Sequence, residues 1–150
     1  MAIDAALPLI VVTGMAFEAR IARGPGIEVV YAARADRLER ALEQALARGA
    51  CGVMSFGTAG GLAPNLAPGT VIVADAIDAP SGQMATDSAW SERIAPALRV
   101  ALPGTPFARG VLAAVAAPVV TQQQKAALHA RTGALAVDME SHIAAAQAGA

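Results

Sequence analysis

Short apolar runs rich in β-branched residues, each closed by glycine or followed by a helical pattern, constrain this chain more than any other feature. The first, Leu7–Thr13, is punctuated by Pro8 and closed by Gly14. Its length and its Ile and Val content predict a buried strand. Met15–Arg23 reads as one or two helical turns before the turn at Gly24–Gly26, and Ile27–Ala32 as a second strand. In ADRLERALEQALARGA, Asp36 with Glu39 resembles a capping-box start. Leu38, Leu42, Ala45 and Leu46 then recur at helical spacing, and Gly49 supplies the stop. Gly52–Phe56 is a third strand. Thr70–Ile77 is a fourth, expected as its antiparallel neighbour, and the polar stretch Asp78–Asp87 is expected as an exposed loop. SAWSERIAPALRVAL predicts a helix kinked or broken at Pro96. Phe107–Val120 holds one or two strands interrupted at Pro118, and Thr121 with Gln124 opens a helix running to about Ala130. Gly133–Asp138 is a further strand, and the Ala-rich segment from Glu140 onward a helix reaching the C-terminus. Strands alternating with helices predict an α/β architecture with a largely buried sheet. No repeat, linker or low-complexity segment divides it, so residues 1–150 read as one domain.

Composition narrows the function classes. Hydrophobic residues make up 55% and charged residues 15% of the 150, which excludes a disordered chain. Aromatics are only 3%. An alanine-rich chain packs its helices closely and keeps apolar surface for a second subunit, so a homo-oligomer is expected. The net charge of −1 comes from mixed signs without a basic block, which leaves no footprint for nucleic acid. Cys51, the single cysteine, cannot form an internal disulfide and reads as a small buried hydrophobe at a strand entry. His129 and His142 are too far apart to give metal-ligand spacing. No metal and no cofactor are expected. The first apolar run is too short to span a membrane and lacks the basic flank of a signal peptide, so the expected location is cytoplasmic.

The chemistry-bearing stretch is SFGTAGG, Ser55–Gly61. Its glycines, Gly57, Gly60 and Gly61, do not form the G-x-G-x-x-G of a dinucleotide fold, and Pro64 and Pro68 resist the helix that fold requires. No Gly-Lys-Ser/Thr is present, so it is not a P-loop either. Two readings stand. In one, backbone N–H groups with the Ser55 and Thr58 hydroxyls cradle an oxygen-rich ligand; in the other, the glycines only make a tight turn. Two carboxylates also end strands, Glu18 after Gly14 and Glu140 after Asp138–Met139. If those ends meet on one edge of the sheet, Glu18, Thr58 and Glu140 face one pocket, where carboxylates accept sugar hydroxyl protons or stabilise a cationic transition state. The plainer alternatives are a solvated Glu18 on an amphipathic helix and a Glu140 placed at a helix N-terminus by the macrodipole. Arg34 reads as an anion contact or as a solvated side chain beside a helix start. The loop Asp78–Asp87 with Trp90 reads as a lid or subunit contact, or as an exposed loop with one anchoring tryptophan. His142 reads as a helix-face residue.

Three segments together carry a resemblance: TGMAFEARIA, VMSFGTAGGLAPNLAPGTVIVAD and ALAVDMESHIAAA. Their order and spacing resemble the purine nucleoside phosphorylase/nucleosidase superfamily over most of the chain. SFGTAGGL and AVDMESH look most like the hopanoid-associated phosphorylase-like proteins, also described as adenosylhopane nucleosidases; methylthioadenosine/S-adenosylhomocysteine nucleosidases come next. The resemblance implies a three-layer fold with a mixed central β-sheet flanked by helices. It implies cleavage of the N-glycosidic bond of a 5′-substituted adenosine, by water or with inorganic phosphate as co-substrate. Glu18 matches the glutamate that positions the attacking water, and Glu140 the one that binds ribose hydroxyls. Met139 matches the methionine that packs on the ribose. Thr58 falls near the water or phosphate with Gly14 and Gly57, with the backbone of Ala59 and Gly60 beside it. Ala117–Val120, with Val119, falls where the base pocket is lined.

This sequence departs from the family pattern in three places. The acid that protonates the purine is implied about twenty residues beyond the glutamate on a further strand, and the sequence ends ten residues after Glu140. The expectation is a fold short of its C-terminal strand and helix, with impaired turnover or a silent nucleoside-binding remnant. VVYAARAD stands where relatives carry a glycine-rich turn, and AAPVVT replaces an SGD-like stretch before the base pocket, which fits a larger or more apolar ligand. Arg20, Arg34 and Arg131 are the candidate cations for a phosphate.

Overall fold

The computed structural model describes residues 7–149. The chain forms two compact units, one of residues up to Thr58 together with those from Glu140 onward, the other of Ala59–Met139. The first unit holds β1 (Leu9–Thr13), α1 (Ala16–Ala22), β2 (Ile27–Tyr31), α2 (Ala35–Leu46), β3 (Gly52–Ser55) and, from the far end of the sequence, α5 (Ser141–Ala148). The second holds β4 (Gly60–Gly61), β5 (Val71–Ala79), β6 (Gly82–Ala85), α3 (Ser88–Ala101), β7 (Phe107–Ala114), α4 (Gln122–Thr132) and β8 (Ala136–Asp138). The expected α/β class with mixed strand directions is what forms, with the strands shared between two sheets. Among the described residues no helix is long and apolar enough to cross a membrane.

In the first unit β1 lies between β2 and β3 and is parallel to both. Because side chains alternate along a strand, Ile10 and Val12 share one face, and both are fully buried. They meet Val30, Leu38, Leu42 and Ala45 together with Ile143 and Ala144 of α5. This cluster explains the helical spacing of α2: its apolar stripe closes over the sheet, each buried leucine contributing about 1.5–3 kcal/mol. The β1-to-β2 and β2-to-β3 connections run in opposite directions across the sheet, so right-handed crossovers place α1 and α2 on opposite faces.

The start of α2 differs from the sequence expectation. Arg34 occupies the N-cap and no side chain caps the helix. Asp36, two positions past the N-cap, accepts hydrogen bonds from the Arg34 guanidinium at 3.0 and 3.1 Å. That bond holds the Asp36 carboxyl below its ordinary value, and it makes Arg34 an ion-pair partner on the surface. Cys51 is exposed, not buried. It precedes β3, where its backbone N–H bonds the Pro8 carbonyl, and its side chain stays outside the core.

In the second unit the order is β4-β8-β7-β5-β6. The β5 strand is parallel to β7 and antiparallel to β6, with a bulge between Ala74 and Ala76. It does not pair with β3, so the expected antiparallel neighbour of β3 is instead a member of another sheet. The expected loop Asp78–Asp87 is the end of β5, a turn and the edge strand β6, whose four residues are mostly exposed and polar or small. Trp90 lies half-buried on α3. This helix runs through Pro96 without a break; Asp87 caps it by accepting from the Trp90 N–H, and Ser91 and Ala95 bury one face. At α4 the expected capping box forms, with Gln124 N–H to Thr121 Oγ1 and Thr121 N–H to Gln124 Oε1, both 3.1 Å. Gly133 ends the helix in the left-handed region at φ 68°.

Thr13 ends β1 with no exposure, and its Oγ1 has no hydrogen-bond partner among the described residues. A buried hydroxyl left unpaired costs about 1–3 kcal/mol. Thr13→Val is therefore expected to raise unfolding free energy by about 1 kcal/mol in a denaturant titration; a loss of stability would show that the hydroxyl is satisfied.

Candidate active site

Glu18 sits in the first turn of α1, three residues after the N-cap Met15. An acid at that position folds back onto the open N–H groups of the helix start, and the Met15 N–H donates to Glu18 Oε2 at 3.1 Å. The other oxygen reaches across the unit. Glu18 Oε1 accepts from the Thr58 N–H at 2.8 Å and from the Thr58 hydroxyl at 3.0 Å. Glu18 is only 3% exposed, which rules out the solvated reading.

The glycine loop now has a reason. A Cβ on Gly57 would lie 2.8 Å from Glu18 Oε1, closer than real contacts allow. Gly57 is bare so that the loop can close on a carboxylate of its own chain. Thr58 donates both its N–H and its O–H to that carboxylate, so neither donor serves an anionic ligand. Each carboxylate oxygen can accept two hydrogen bonds. Oε1 has two donors and Oε2 one, so Oε2 keeps one acceptor position without a donor among the described residues.

Glu140 is the N-cap of α5, with φ −117° and ψ −27°, and makes no side-chain capping bond to the helix. Its carboxylate lies instead over the backbone of Gly14, where a methyl group would overlap it. Behind it, the Ser141 hydroxyl donates to Ser55 Oγ at 2.9 Å, joining the first residue of α5 to the last of β3. Ser141 is 2% exposed. Ser55 is aligned with Val12 of β1, two residues before Gly14. The carboxyl-terminal edge of one parallel sheet thus collects Gly14, Glu18, Ser55, Gly57, Thr58 and Glu140. Sites in open α/β sheets gather at such edges.

The remaining expected site residues belong to the second unit. Ala59 leads into β4, where Gly60 pairs with Val137 of β8. Part of the glycine loop is therefore a short strand. Val119 packs on the core of this unit and lines an open hollow of about 640 Å³ with Val115, Ala117, Pro118, Leu128 and Arg131. Met139 follows β8 and is 37% exposed. Arg131 lies on α4, Arg34 is held by Asp36, and Arg20 is exposed in the last turn of α1. His142 carries a buried Nδ1 without a partner among the described residues. The Ser55–Ser141 link was not legible in the sequence, because the two hydroxyls are far apart and each is a common helix-start or loop residue.

Comparison with solved structures agrees with this architecture. The 5′-methylthioadenosine/S-adenosylhomocysteine nucleosidase of Neisseria meningitidis in complex with methylthio-immucillin-A superposes with a TM-score of 0.79 at 16% identity, covering 93% of this chain and 78% of that one. A Helicobacter pylori MTAN mutant with 5′-methylthioadenosine in the active site gives 0.77 at 17% identity, over 95% and 79%. A mutant of futalosine hydrolase from Helicobacter pylori gives 0.76 at 15% identity, over 96% and 85%. At such identities the likeness is one of fold. No curated protein sequence gives a match. The family model of the phosphorylase superfamily, however, matches residues 24–150. A match over most of the sequence, on a fold of the same kind, makes this chain a member of the phosphorylase superfamily.

Proposed function

We propose that the chain cleaves the N-glycosidic bond of a 5′-substituted adenosine with water and releases adenine. The observation that carries this reading is the Glu18 carboxylate. It is buried, fixed through three donors, and keeps one acceptor position open on Oε2. A water donating to that position is oriented with a lone pair outward and can lose its proton to the carboxylate as it attacks.

Each step follows from the charges. Breaking the C1′–N9 bond sends its electron pair to the purine and leaves a ribosyl cation. The Glu140 carboxylate, accepting from the ribose hydroxyls, favours that positive charge and holds the ring. The water oxygen then bonds C1′ as Glu18 takes its proton. The purine gains a proton from solvent water as it leaves, which completes adenine. Glu18 and Glu140 thus serve the water and the sugar respectively.

Water is favoured over phosphate as the nucleophile by the use of Thr58. Both of its donors face Glu18, and a carboxylate beside the nucleophile repels an anion. For the 5′ group, SFGTAGGL and AVDMESH favour a bulky apolar substituent such as that of adenosylhopane. The likeness to methylthioadenosine nucleosidases favours a small thioether as the second reading.

Calorimetry with 5′-methylthioadenosine and with adenosylhopane, beside adenine release with and without phosphate, tests the proposal. Phosphate-independent release supports it. Phosphate-dependent release would overturn the hydrolytic step, and binding with no release over long incubation would leave a nucleoside-binding protein. Glu18→Gln is expected to lower adenine release by about 100-fold or more, the scale of a lost general base, with nucleoside affinity changed less than about threefold. Gly57→Ala pushes the carboxylate off Thr58 and is expected to cost about 100-fold in release, the scale of a misplaced catalytic group. Circular dichroism should report an unchanged fold.

A further inference from the structure

We infer that the outward face of α1 is a docking surface for an anionic lipid bilayer, with Phe17 and Ile21 entering the acyl region and Arg20 and Arg23 meeting the lipid phosphates. The inference goes beyond the reading of the site and does not rest on it.

Among its seven residues α1 buries only Glu18 and Ala19. Residues three and four apart share a helix face, so Phe17, Arg20 and Ile21 stand together on the side turned away from the sheet. All three are exposed, Ile21 by 67% and Phe17 by 41%. Arg23 follows as the exposed C-cap. The sheet face beneath adds Tyr31. It is in register with Thr13, on the side of β1 away from Ile10 and Val12, and it too is exposed.

The charge on this face has one sign. Among the described residues neither Arg20 nor Arg23 forms an ion pair. The one acid of α1, Glu18, is buried and turned to Thr58. Glu28 of β2 pairs with Arg48, and Asp36 with Arg34. A helix C-terminus favours cations, which accounts for the arginines but not for the apolar side chains beside them.

Size and sign decide what covers the face. A helix of seven residues is about 10 Å long, whereas a stable protein interface takes about 800 Å² from each partner. A second copy docked through the same face sets its own two arginines against these, and like charges repel. A bilayer needs no matching surface. Apolar side chains dissolve among its acyl chains, and arginine stems lie along them while the guanidinium groups stay at the phosphates. Because α1 starts at the sheet edge that holds Glu18, docking brings that edge to the surface in which a nucleoside with a bulky apolar 5′ group dissolves.

Co-sedimentation of the whole chain with vesicles tests this, comparing phosphatidylcholine alone with phosphatidylcholine carrying about 30% phosphatidylglycerol. Binding to the anionic vesicles is expected to be roughly tenfold stronger or more, the scale of two basic residues at a charged surface. Ile21→Ser removes the most exposed apolar side chain of the face and is expected to weaken binding about tenfold, the scale of one buried side chain. Arg20→Gln is expected to weaken it about fivefold. Val100→Ser alters an even more exposed apolar residue, on α3, and is expected to change nothing. Circular dichroism should report the same fold throughout. No binding to anionic vesicles, equal binding by Ile21→Ser, or an equal loss in Val100→Ser overturns the inference. So does a dimer, seen by sedimentation velocity without vesicles, that Ile21→Ser dissolves: the face then belongs to a second copy.

Discussion

Glu18 accepts hydrogen bonds from two places in the chain at once: the start of its own helix, and a loop 40 residues further on. A buried carboxylate without donors costs several kcal/mol, so a sequence that buries one must deliver donors to it. The features of the first unit that looked unrelated serve this end. A short helix comes directly after β1 and turns its open N–H groups toward the acid. The third strand ends in a loop whose backbone can approach closely. Without the close approach at Gly57, the Thr58 N–H would stand too far away, and Glu18 would be a buried charge with half its partners.

The frame that brings these pieces together is parallel pairing on both sides of β1. Parallel strands end on the same side, so the segments leaving them emerge at one edge. That alone places Gly14, α1 and the Ser55–Thr58 loop together. The return of α5 from the distant end of the sequence needs a further cause. Ile143 and Ala144 supply it by completing the apolar cluster that α2 covers only in part. Burial draws the helix in, and Glu140 arrives with it.

How much of this was readable from residues alone depends on the physics behind each signal. Local rules did well where the cause is local. The Thr121–Gln124 box and the β-branched runs of β1 and β2 formed as their patterns indicate, whereas Gly133, expected to open a strand, caps α4 in the left-handed region instead. Local rules misled where a partner decides. Residues 82–85 carry no strand pattern, and they become an edge strand because β5 offers them a free side. Pro96 should interrupt a helix, yet a cap at Asp87 and the buried Ser91 and Ala95 carry the helix past it. Asp36 had the spacing of a cap and bonded Arg34 instead, because the helix began two residues earlier. In the site, residue types and strand ends pointed to Glu18, Thr58 and Glu140. They did not reveal that the Thr58 donors are consumed within the protein, since that depends on an approach distance no spacing encodes.

Gly14 and Gly57 do their work by occupying no side-chain volume: one leaves room for the Glu140 carboxylate, the other for that of Glu18. Two residues of this constellation therefore contribute reserved space rather than functional groups. A mutational survey confined to residues with reactive atoms would recover two acids and a threonine, and would score the glycines as filler. Stabilising redesign that trades flexible glycine for alanine would erase the constellation while every polar residue stayed in place.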